Sequence, residues 1–586
     1  MSACSYVGRV GGLALALGVG AAVLGGTAAA WADDDSPPAS ASETRSAAAD
    51  TRSAPSAAGT GRHSVATGPA RSPKRISSTP AAKPAAAEPA GVRTGEPVRT
   101  SAAVRIAATA PPAPQLALAV PEQPLVAAAV APAQPLILGP SGVPIPSVDY
   151  VNRVMQYYVT PNSPDGTLTP QIVFTPEGLY PITGVKSLPL NTSVDQGMTI
   201  LSDTLALLPD GTPTTVFGYS QSAIIGSLLQ AGFVPPGSPY PHPEIPDGLQ
   251  DSISFIFVGN EMNPNGGFLS RFPNLQLPSL GLDFYGATPK NAYPTTNYTR
   301  EYDGFADFPR YPLNFLSVLN AGLGIVYVHT KYAPAADCRT FCLTDQEVLD
   351  AIPLPSTSET QRYFFIPTED LPLLQPLRLL PLIGNPLADL IQPVLKVIVD
   401  LGYGDPAHGF ETATQPWANV LMPFGLFPEV SPLEVIGDLA AGVVQGITDF
   451  IAAFGPTGSI AQELAAISLP TLPSLTLPTG EFLTAAGEFV TGVANGISGA
   501  LASLYSGFLP TADIANALLI SLPAYNVALA LNAVEQILSG NVIGGLVNAI
   551  GLPLAADVGL VTTASLVGGL VWAQSIAGLF GITIGT

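Results

Sequence analysis

Ser220 stands in a setting that is typical of a catalytic nucleophile. It is the central residue of a Gly-Tyr-Ser-Gln-Ser motif, which follows the β-branched and aromatic run at 214–217. That run predicts a buried strand, and the apolar pattern of residues 221–230 predicts a helix directly after the motif. A serine on such a tight turn needs small residues two positions away on either side, here Gly218 and Ser222. The pattern predicts that Ser220 attacks acyl groups.

A serine nucleophile needs a histidine base, and the base needs a carboxylate that orients it. Enzymes of the α/β-hydrolase fold carry a similar Gly-x-Ser-x-Gly turn, and their order along the chain is serine, acid, histidine. Residues 295–302 have the pattern of a strand, and Asp303 comes directly after it. We therefore predict Asp303 as the acid and Asp307 as its alternative. An ordinary turn also explains an Asp-Gly pair at a strand end.

The base must be one of four histidines. His63 and His242 precede the predicted acid, so the order along the chain favours His329 or His408. His329 follows the apolar run 325–328, which we interpret as the final strand, so the imidazole would emerge at the sheet edge that carries the serine. His408 lies in a Gly- and Pro-rich loop, where an exposed imidazole is expected. This comparison favours His329.

Backbone N–H groups are predicted to bind the oxyanion of the reaction. The helix after Ser220 begins with free N–H groups, so the N–H of Gln221 is the predicted first donor. A loop of small residues follows the early strand predicted at 135–138, where α/β-hydrolases place the second donor. We predict this donor near Ser141 or Gly142, although a plain Gly-Pro turn explains the loop equally well.

The fold class follows from the order of the predicted elements. Strands at 135–138, 214–219 and 253–258 alternate with apolar helical stripes, which is typical of a parallel sheet with flanking helices. The stripe at 194–208 follows Ser193, which we interpret as the first residue of a capping box. An α/β-hydrolase-like, mostly parallel sheet is therefore predicted.

The charge and composition of the chain limit the kinds of partner that it can have. The 586-residue chain has a net charge of −21, and an acidic, Lys-poor chain has no electrostatic footprint for nucleic acid. Charged residues make up 11% of the chain and hydrophobic residues 47%, a profile that suggests contact with lipid. No metal or cofactor is predicted.

The N-terminus predicts export. Residues 1–32 combine a basic start, an apolar stretch and an Ala-Trp-Ala cleavage site, which is typical of a secretory signal peptide. Residues 33–134 are rich in Ala, Pro and Ser and predict a disordered linker. In an oxidising compartment Cys338 and Cys342 are predicted to form a disulfide, because two cysteines cannot complete a tetrahedral zinc site.

Several motifs, in a fixed order along the chain, resemble those of a known family. They are Gly-x-Pro-x-Pro at 142–146, the Ser220 motif, Asn-Pro-Asn-Gly-Gly at 263–267, Tyr-Asp-Gly-Phe-Ala-Asp-Phe-Pro at 302–309 and Leu-Pro-Leu-Leu-x-Pro-Leu-Arg at 371–378. On these motifs the stretch from about 136 to 403 resembles the PE-PPE domain of mycobacterial cell-envelope proteins, an α/β-hydrolase module similar to cutinases and short-chain esterases. We accordingly set the hydrolase domain at 135–409.

The resemblance implies a catalytic set and an activity. It implies Ser220 as nucleophile, Asp303 as acid and His329 as base, and Ser222 matches the family's own variant of the motif. It also implies an esterase or lipase acting on acyl esters, or alternatively an acyltransferase acting on trehalose-type glycolipids. A non-catalytic envelope protein that binds lipid is the third possibility. A predicted signal peptide and linker stand where the family often has a PE or PPE helical domain.

The remaining region, 410–586, predicts apolar helices. A Gly-x-x-x-Gly segment at 442–446 recurs at 492–496, which suggests a duplicated helical hairpin. Residues 558–586 contain no charge, but scattered Gly and Thr and the lack of basic flanks disfavour a membrane span. We expect helices that face lipid or pack on the core, and therefore an envelope-associated protein.

Overall fold

The computed structural model describes residues 132–163, 166–234, 243–290, 292–335, 338–404, 417–466 and 482–580. The predicted signal peptide and nearly all of the predicted linker lie outside the described residues, as do His63, His242 and His408. Export and the linker therefore stay predictions.

The described strands form one large sheet and one small one. In chain order the strands are β1 (Gln134–Ile137), β2 (Gln171–Ile172), β3 (Thr214–Tyr219), β4 (Ile253–Val258), β5 (Gln276–Leu277), β6 (Leu282–Asp283), β7 (Thr295–Arg300), β8 (Ile352–Pro353) and β9 (Gln361–Ile366). The seven-stranded sheet has the order β2-β1-β3-β4-β7-β9-β8, and its neighbours are parallel except for the antiparallel pair β8–β9. The predicted mostly parallel sheet is confirmed.

Helices flank the sheet and fill the C-terminal region. The described α-helices are α1 (Val148–Val154), α2 (Leu190–Ala206), α3 (Gln221–Gln230), α4 (Phe268–Arg271), α5 (Phe315–Tyr327), α6 (Asp345–Leu349), α7 (Gln375–Arg378), α8 (Gly384–Asp400), α9 (Pro432–Ala452), α10 (Ser459–Ala466), α11 (Phe482–Asn516), α12 (Leu522–Leu538) and α13 (Val542–Leu579). A π-helical turn, Ala517–Ser521, joins α11 to α12.

Successive side chains of the central strands enter different cores. Val216 of β3 packs in a cluster with α2 and α3, whereas Phe217 packs with Tyr150 of α1 in a second cluster. This alternation is the period of two that a strand imposes on its side chains. Each fully buried side chain of this size contributes about 1.5–3 kcal/mol. Two filled faces hold the ends of β3, β4 and β7 at one edge.

Two local interpretations of the sequence are wrong. Helix α2 begins at Leu190, so Ser193 lies inside its first turn, where its hydroxyl accepts the Gly178 N–H at 2.8 Å rather than capping the helix. Residues 325–328, interpreted as the final strand, are instead the last three residues of helix α5 and its C-cap, Val328. A short apolar run has the same composition in a buried helix as in a buried strand, so its pattern could not separate the two.

The two Gly-x-x-x-Gly segments lie in helices but differ in their contacts. In α9, a Cβ on Gly442 would lie 3.0 Å from the backbone of Pro393, and one on Gly446 would lie 2.0 Å from the Leu390 carbonyl oxygen. These glycines allow α9 to approach α8 closely. Around Gly492 and Gly496 no described atom lies within 4 Å of such a Cβ. The repeat is therefore one of helical sequence, not of packing.

Helices α11, α12 and α13 pack onto the sheet-containing part. Leu522, Ala555 and Leu560 belong to the same hydrophobic cluster as α2 and α3. The hydroxyl of Tyr180 donates to Asp513 Oδ2 at 2.5 Å, which adds a polar link. Three helical stretches in the described chain are long and apolar enough to cross a membrane: Pro432–Ala452, Thr491–Leu538 and Val542–Leu579. The boundary at 409/410 stays a prediction.

Candidate active site

The turn that carries Ser220 has a strained backbone. Ser220 joins β3 to α3 with φ 57° and ψ −125°, a conformation that non-glycine residues rarely adopt. A Cβ on Gly218 would lie 2.7 Å from the Ser222 carbonyl oxygen, so glycine is needed there. The Ser222 hydroxyl accepts the Tyr219 N–H at 2.7 Å and lies 3.0 Å from the Tyr219 carbonyl oxygen. A serine two positions after Ser220 therefore ties the turn together.

Ser220, His329 and Asp303 form a hydrogen-bonded line. The Ser220 Oγ lies 2.8 Å from His329 Nε2, and His329 Nδ1 lies 2.8 Å and 2.9 Å from the two carboxylate oxygens of Asp303. All three side chains are buried. Since Nδ1 faces a carboxylate, it carries the proton of a neutral imidazole, and Nε2 is then the acceptor for the serine proton. The residues predicted from the sequence are thus brought together.

Asp303 is held in place by several donors. Its Oδ1 accepts the N–H groups of Phe305 at 2.9 Å and Ala306 at 3.2 Å, and its Oδ2 accepts the Tyr332 hydroxyl at 2.8 Å. The alternative acid, Asp307, accepts the backbone N–H of Tyr302 at 2.9 Å. Asp303 is therefore the carboxylate that contacts the histidine. The strand before it, β7, ends at Arg300, three residues before Asp303, rather than running to Tyr302 as the pattern predicted.

His329 is fixed by the residues around its ring and backbone. It lies in a 3₁₀ turn, His329–Lys331, directly after α5, and its carbonyl oxygen accepts the Tyr219 hydroxyl. The Phe305 ring packs edge-on against the imidazole with centroids 4.8 Å apart. Burial acts to lower the pKa of His329, but the charge and hydrogen bond of Asp303, with help from Glu261, raise it above its ordinary value.

The predicted oxyanion donors differ in their availability. Gln221 is the first residue of α3, where a backbone N–H has no helical acceptor. Its side chain donates to Ser141 Oγ at 3.0 Å, which brings the 138–142 loop next to the serine turn. The N–H of Gly142 donates to the Glu177 carbonyl oxygen at 2.7 Å and is thereby engaged. Of the predicted second donors, Ser141 is the better candidate.

One functional group next to the serine has no counterpart in the sequence predictions. Glu261 Oε1 lies 2.9 Å from Ser220 Oγ, and Glu261 Oε2 is buried without a hydrogen-bond partner among the described residues. Burial raises the pKa of Glu261 to about 7. Nearby, Glu177 is also buried, which raises its pKa to about 8, and it accepts the Thr175 hydroxyl. The site therefore holds two carboxyl groups that are easily protonated.

A comparison with known families decides the membership of the chain. The PE-PPE domain matches residues 166–404. The "Uncharacterized PPE family protein PPE28" of Mycobacterium tuberculosis is 46% identical over 450 residues, which are 73% of this chain and 63% of the relative. The chain belongs to the PE-PPE domain family. Ser220, Asp303, His329 and Glu261 all lie within the matched PE-PPE domain, whereas Ser141 precedes it.

Other relatives carry activity names. The M. tuberculosis protein "Esterase PE16" is 40% identical over 53% of this chain and 54% of its own length. The M. tuberculosis protein "SL1278 acyltransferase Chp1" is 29% identical over 44% of this chain and 60% of its own length. The chain thus spans between about half and two thirds of the length of these relatives.

Two further predictions concern sulfur and metal ligands. The structure contains the disulfide Cys338–Cys342 in the loop that follows His329. Among the described residues, no group of three or more His, Cys, Asp or Glu side chains has a geometry that could hold a metal ion. The expectation of a reaction without metal or cofactor stays a prediction.

Proposed function

We propose that this chain is an exported serine esterase that hydrolyses acyl esters through an acyl-enzyme. The observation that carries the proposal is the line from Ser220 Oγ through His329 to Asp303, with both hydrogen bonds at 2.8 Å. The strained turn and the start of α3 beside Ser220 add support, because they present backbone N–H groups where an oxyanion would form. The name of the relative Esterase PE16 points the same way.

The first half of the reaction makes the acyl-enzyme. Ser220 Oγ attacks the ester carbonyl carbon while His329 Nε2 takes the serine proton, which gives a tetrahedral oxyanion and an imidazolium. Asp303 accepts a hydrogen bond from Nδ1 throughout and stabilises the positive ring. The N–H of Gln221, with a second donor at Ser141, binds the oxyanion. Collapse breaks the bond to the alcohol oxygen, which receives the proton from Nε2 and leaves.

The second half transfers the acyl group. His329 removes a proton from an incoming hydroxyl, whose oxygen attacks the acyl carbon, and the same proton then returns to Ser220 Oγ. Water as the acceptor gives a free acid, whereas an alcohol as the acceptor gives a new ester. The acyltransferase name of the relative Chp1 favours acyl transfer to an envelope glycolipid, of the trehalose type, as the second candidate function.

The proposed setting is the cell envelope. The predicted signal peptide supports export, and large exposed apolar side chains on the C-terminal helices, such as Leu519 and Ile550, support contact with lipid. A surface of that kind would keep the protein close to acyl esters that have little solubility in water. No nucleic-acid partner is proposed.

Labelling with a fluorophosphonate tests whether the serine is activated. Attack by Ser220 Oγ on the phosphorus would displace fluoride and leave a stable phosphonyl ester, which mass spectrometry locates. We expect labelling of the full chain at Ser220 and none of Ser220→Ala. A folded protein that fails to react would instead support the non-catalytic, lipid-binding alternative. A separate incubation of the unlabelled protein with an acyl ester and trehalose distinguishes hydrolysis, which gives a free acid, from acyl transfer, which gives an acyl-trehalose.

A further inference from the structure

An apolar pocket begins at the proposed active site. Glu261 and Phe305 both line it. Glu261 lies 2.9 Å from Ser220 Oγ, and the Phe305 ring packs against His329. The pocket is therefore continuous with the groups that would act on an ester carbonyl.

The walls of this pocket come from two distant parts of the chain. The sheet-containing part supplies Leu190, Ile224 and Phe284, among others, and the C-terminal helices supply a second wall. That second wall consists of Ile514, Ala517, Leu518, Leu522, Leu560, Thr563, Ala564 and Val567. Residues more than two hundred positions after Ser220 thus complete a cavity that starts beside it.

Among the described residues that line the pocket, almost no polar side chain is free to bind a polar ligand. The Tyr180 hydroxyl donates to Asp513 Oδ2 at 2.5 Å, and the Thr563 hydroxyl donates to the Gly559 carbonyl oxygen at 2.9 Å. The remaining polar lining residue is Glu261, whose carboxyl group lies at the end of the pocket near Ser220. A ligand that fits this lining is apolar along its length and polar only at the end near Ser220.

We infer that the pocket binds the acyl chain of the ester and that α11, α12 and α13 thereby determine the acyl-chain length that the enzyme accepts. The inference rests on the proposed esterase function and names its substrate class as esters of medium or long acyl chains. With the carbonyl carbon at Ser220 Oγ, the chain passes Glu261 and Phe305 and ends against the C-terminal helices. Burial of its methylene groups supplies the binding energy, since each one removed from water is favourable.

Neighbouring leucines in the π-helical turn offer a matched test. Leu518 lines the pocket and packs against the hydrophobic core, whereas the next residue, Leu519, is 73% exposed. Leu518→Trp would fill the pocket, and Leu519→Trp would make the same chemical change on the surface. Leu518→Ala would enlarge the pocket instead.

The experiment measures kcat/KM of the full-length protein for p-nitrophenyl acetate and p-nitrophenyl decanoate. For Leu518→Trp we expect the decanoate-to-acetate ratio to fall about tenfold or more, because an obstructed pocket rejects several methylene groups. For Leu519→Trp we expect a ratio within about twofold of wild type, and for Leu518→Ala a ratio to acetate that rises for esters longer than decanoate, because the enlarged pocket accepts a longer chain. If Leu518→Trp fails to fold, the Leu518→Ala series over increasing chain length takes its place.

Three outcomes would overturn the inference. The ratio could remain unchanged in both Leu518 variants, or it could change equally in Leu519→Trp. Leu518→Trp could also change the thermal stability and leave the ratio as in the wild type, which would mean that the pocket contributes to folding and does not bind the acyl chain. Each of these leaves acetate hydrolysis dependent on Ser220 and so spares the proposed function. If the wild type cleaves neither ester, the proposed function itself fails.

Discussion

Two regions of the molecule differ in how far their apolar side chains are buried. One is the sheet-containing part at 132–404, here called the body, and the other is the set of C-terminal helices at 432–466 and 482–580. In the body, large apolar side chains such as Phe217 and Phe257 are fully buried, and the Asp303 carboxylate, which follows β7, is hydrogen-bonded to His329. In the C-terminal helices, Ile543 is 80% exposed and Ile550 is 77% exposed. Exposed apolar surface of this extent usually marks an interaction site.

This difference indicates that the two regions have different functions. The body can hold a reactive serine in a fixed geometry because its two cores lock the strand ends that carry the polar groups. The described residues of the C-terminal helices contribute no group to the Ser220–His329–Asp303 line, yet they form one wall of the apolar pocket beside it. Chemistry is thus expected to depend on the body alone, and selection of the acyl chain on both regions.

The largest expected effect concerns the body. Ser220→Ala removes the attacking oxygen, so we expect kcat/KM for p-nitrophenyl acetate to fall at least about 10³-fold. His329→Ala should lower it about as far, and the double variant should add little, because the two residues act as one unit. Steady-state kinetics on the purified full chain measures all three.

Ser227→Ala, on the same helix as the serine turn, serves as the control for this set. Its hydroxyl lies 2.8 Å from the Thr288 hydroxyl and far along α3 from the turn. We expect near wild-type activity and a loss of stability of about 1 kcal/mol. Substantial hydrolysis by folded Ser220→Ala would show that Ser220 is not the nucleophile.

The next effect concerns the boundary between the regions. A chain that ends at residue 409 lacks the wall formed by Leu518 and Leu560. The predicted domain boundary implies that this shortened chain folds and still cleaves p-nitrophenyl acetate. We expect its kcat/KM for p-nitrophenyl decanoate to fall about tenfold further than that for acetate, because the acyl chain then has one wall only.

Circular dichroism and thermal melting of the shortened chain provide the control. Removal of the helices exposes the cluster that Leu522, Ala555 and Leu560 share with α2 and α3, so its melting temperature should be lower. A shortened chain that cannot fold would show that the helices are part of the hydrolase core. Equal losses for both esters would separate the helices from acyl-chain selection.

Much of the body could be predicted because its signals are local. The strand before Ser220 and the helix after it, α3, begin and end where the pattern predicted. The order of serine, acid and histidine led to the three residues that the structure brings together, although His329 follows a helix rather than the predicted strand. Its position depends on how α5 packs, which a four-residue apolar run cannot reveal.

Other features could not be predicted because they depend on packing between distant residues. Glu261 follows β4, the strand next to that of Ser220, and its place three residues after Val258 was the available signal. No local motif distinguishes a carboxyl that is buried against a serine from one in an ordinary loop. The pocket wall from α12 and α13 is likewise a long-range contact, and composition indicated only that these helices are apolar.

Glu261 lies between the polar groups of the body and the apolar pocket. Its protonation state affects which acceptor receives the hydroxyl proton of Ser220. The Ser220 hydroxyl has one proton but faces two acceptors, His329 Nε2 at 2.8 Å and Glu261 Oε1 at 2.9 Å. If that proton is directed to His329, Glu261 must be neutral and donate its own proton to Ser220 Oγ. The pKa of about 7 that burial imposes on Glu261 keeps this neutral form populated below neutral pH.

The smallest expected effect on activity follows from that placement. In the wild type, kcat/KM should rise as His329 loses its proton and fall again above about pH 7, where ionised Glu261 competes for the serine proton. Glu261→Gln retains a neutral donor, so we expect the fall at high pH to disappear, with a gain of roughly threefold to fivefold at pH 8.5. Rate profiles of both proteins with p-nitrophenyl acetate measure the difference.

Stability provides the independent check, and Glu177 the matched control. A carboxyl with a pKa near 4.5 when unfolded and about 7 when folded binds more protons in the native state, so its contribution to stability is lost as pH rises through that window. For Glu261 the loss is on the order of 3 kcal/mol, and Glu261→Gln should abolish it in urea unfolding at pH 5 and 8.

Glu177, whose pKa burial raises to about 8, contacts Thr175 rather than Ser220. Glu177→Gln should therefore flatten the dependence of stability on pH and leave the rate profile unchanged. A rate profile that changes equally in both variants would mean that the buried charge acts through the general field of the site, and not through the proton of Ser220.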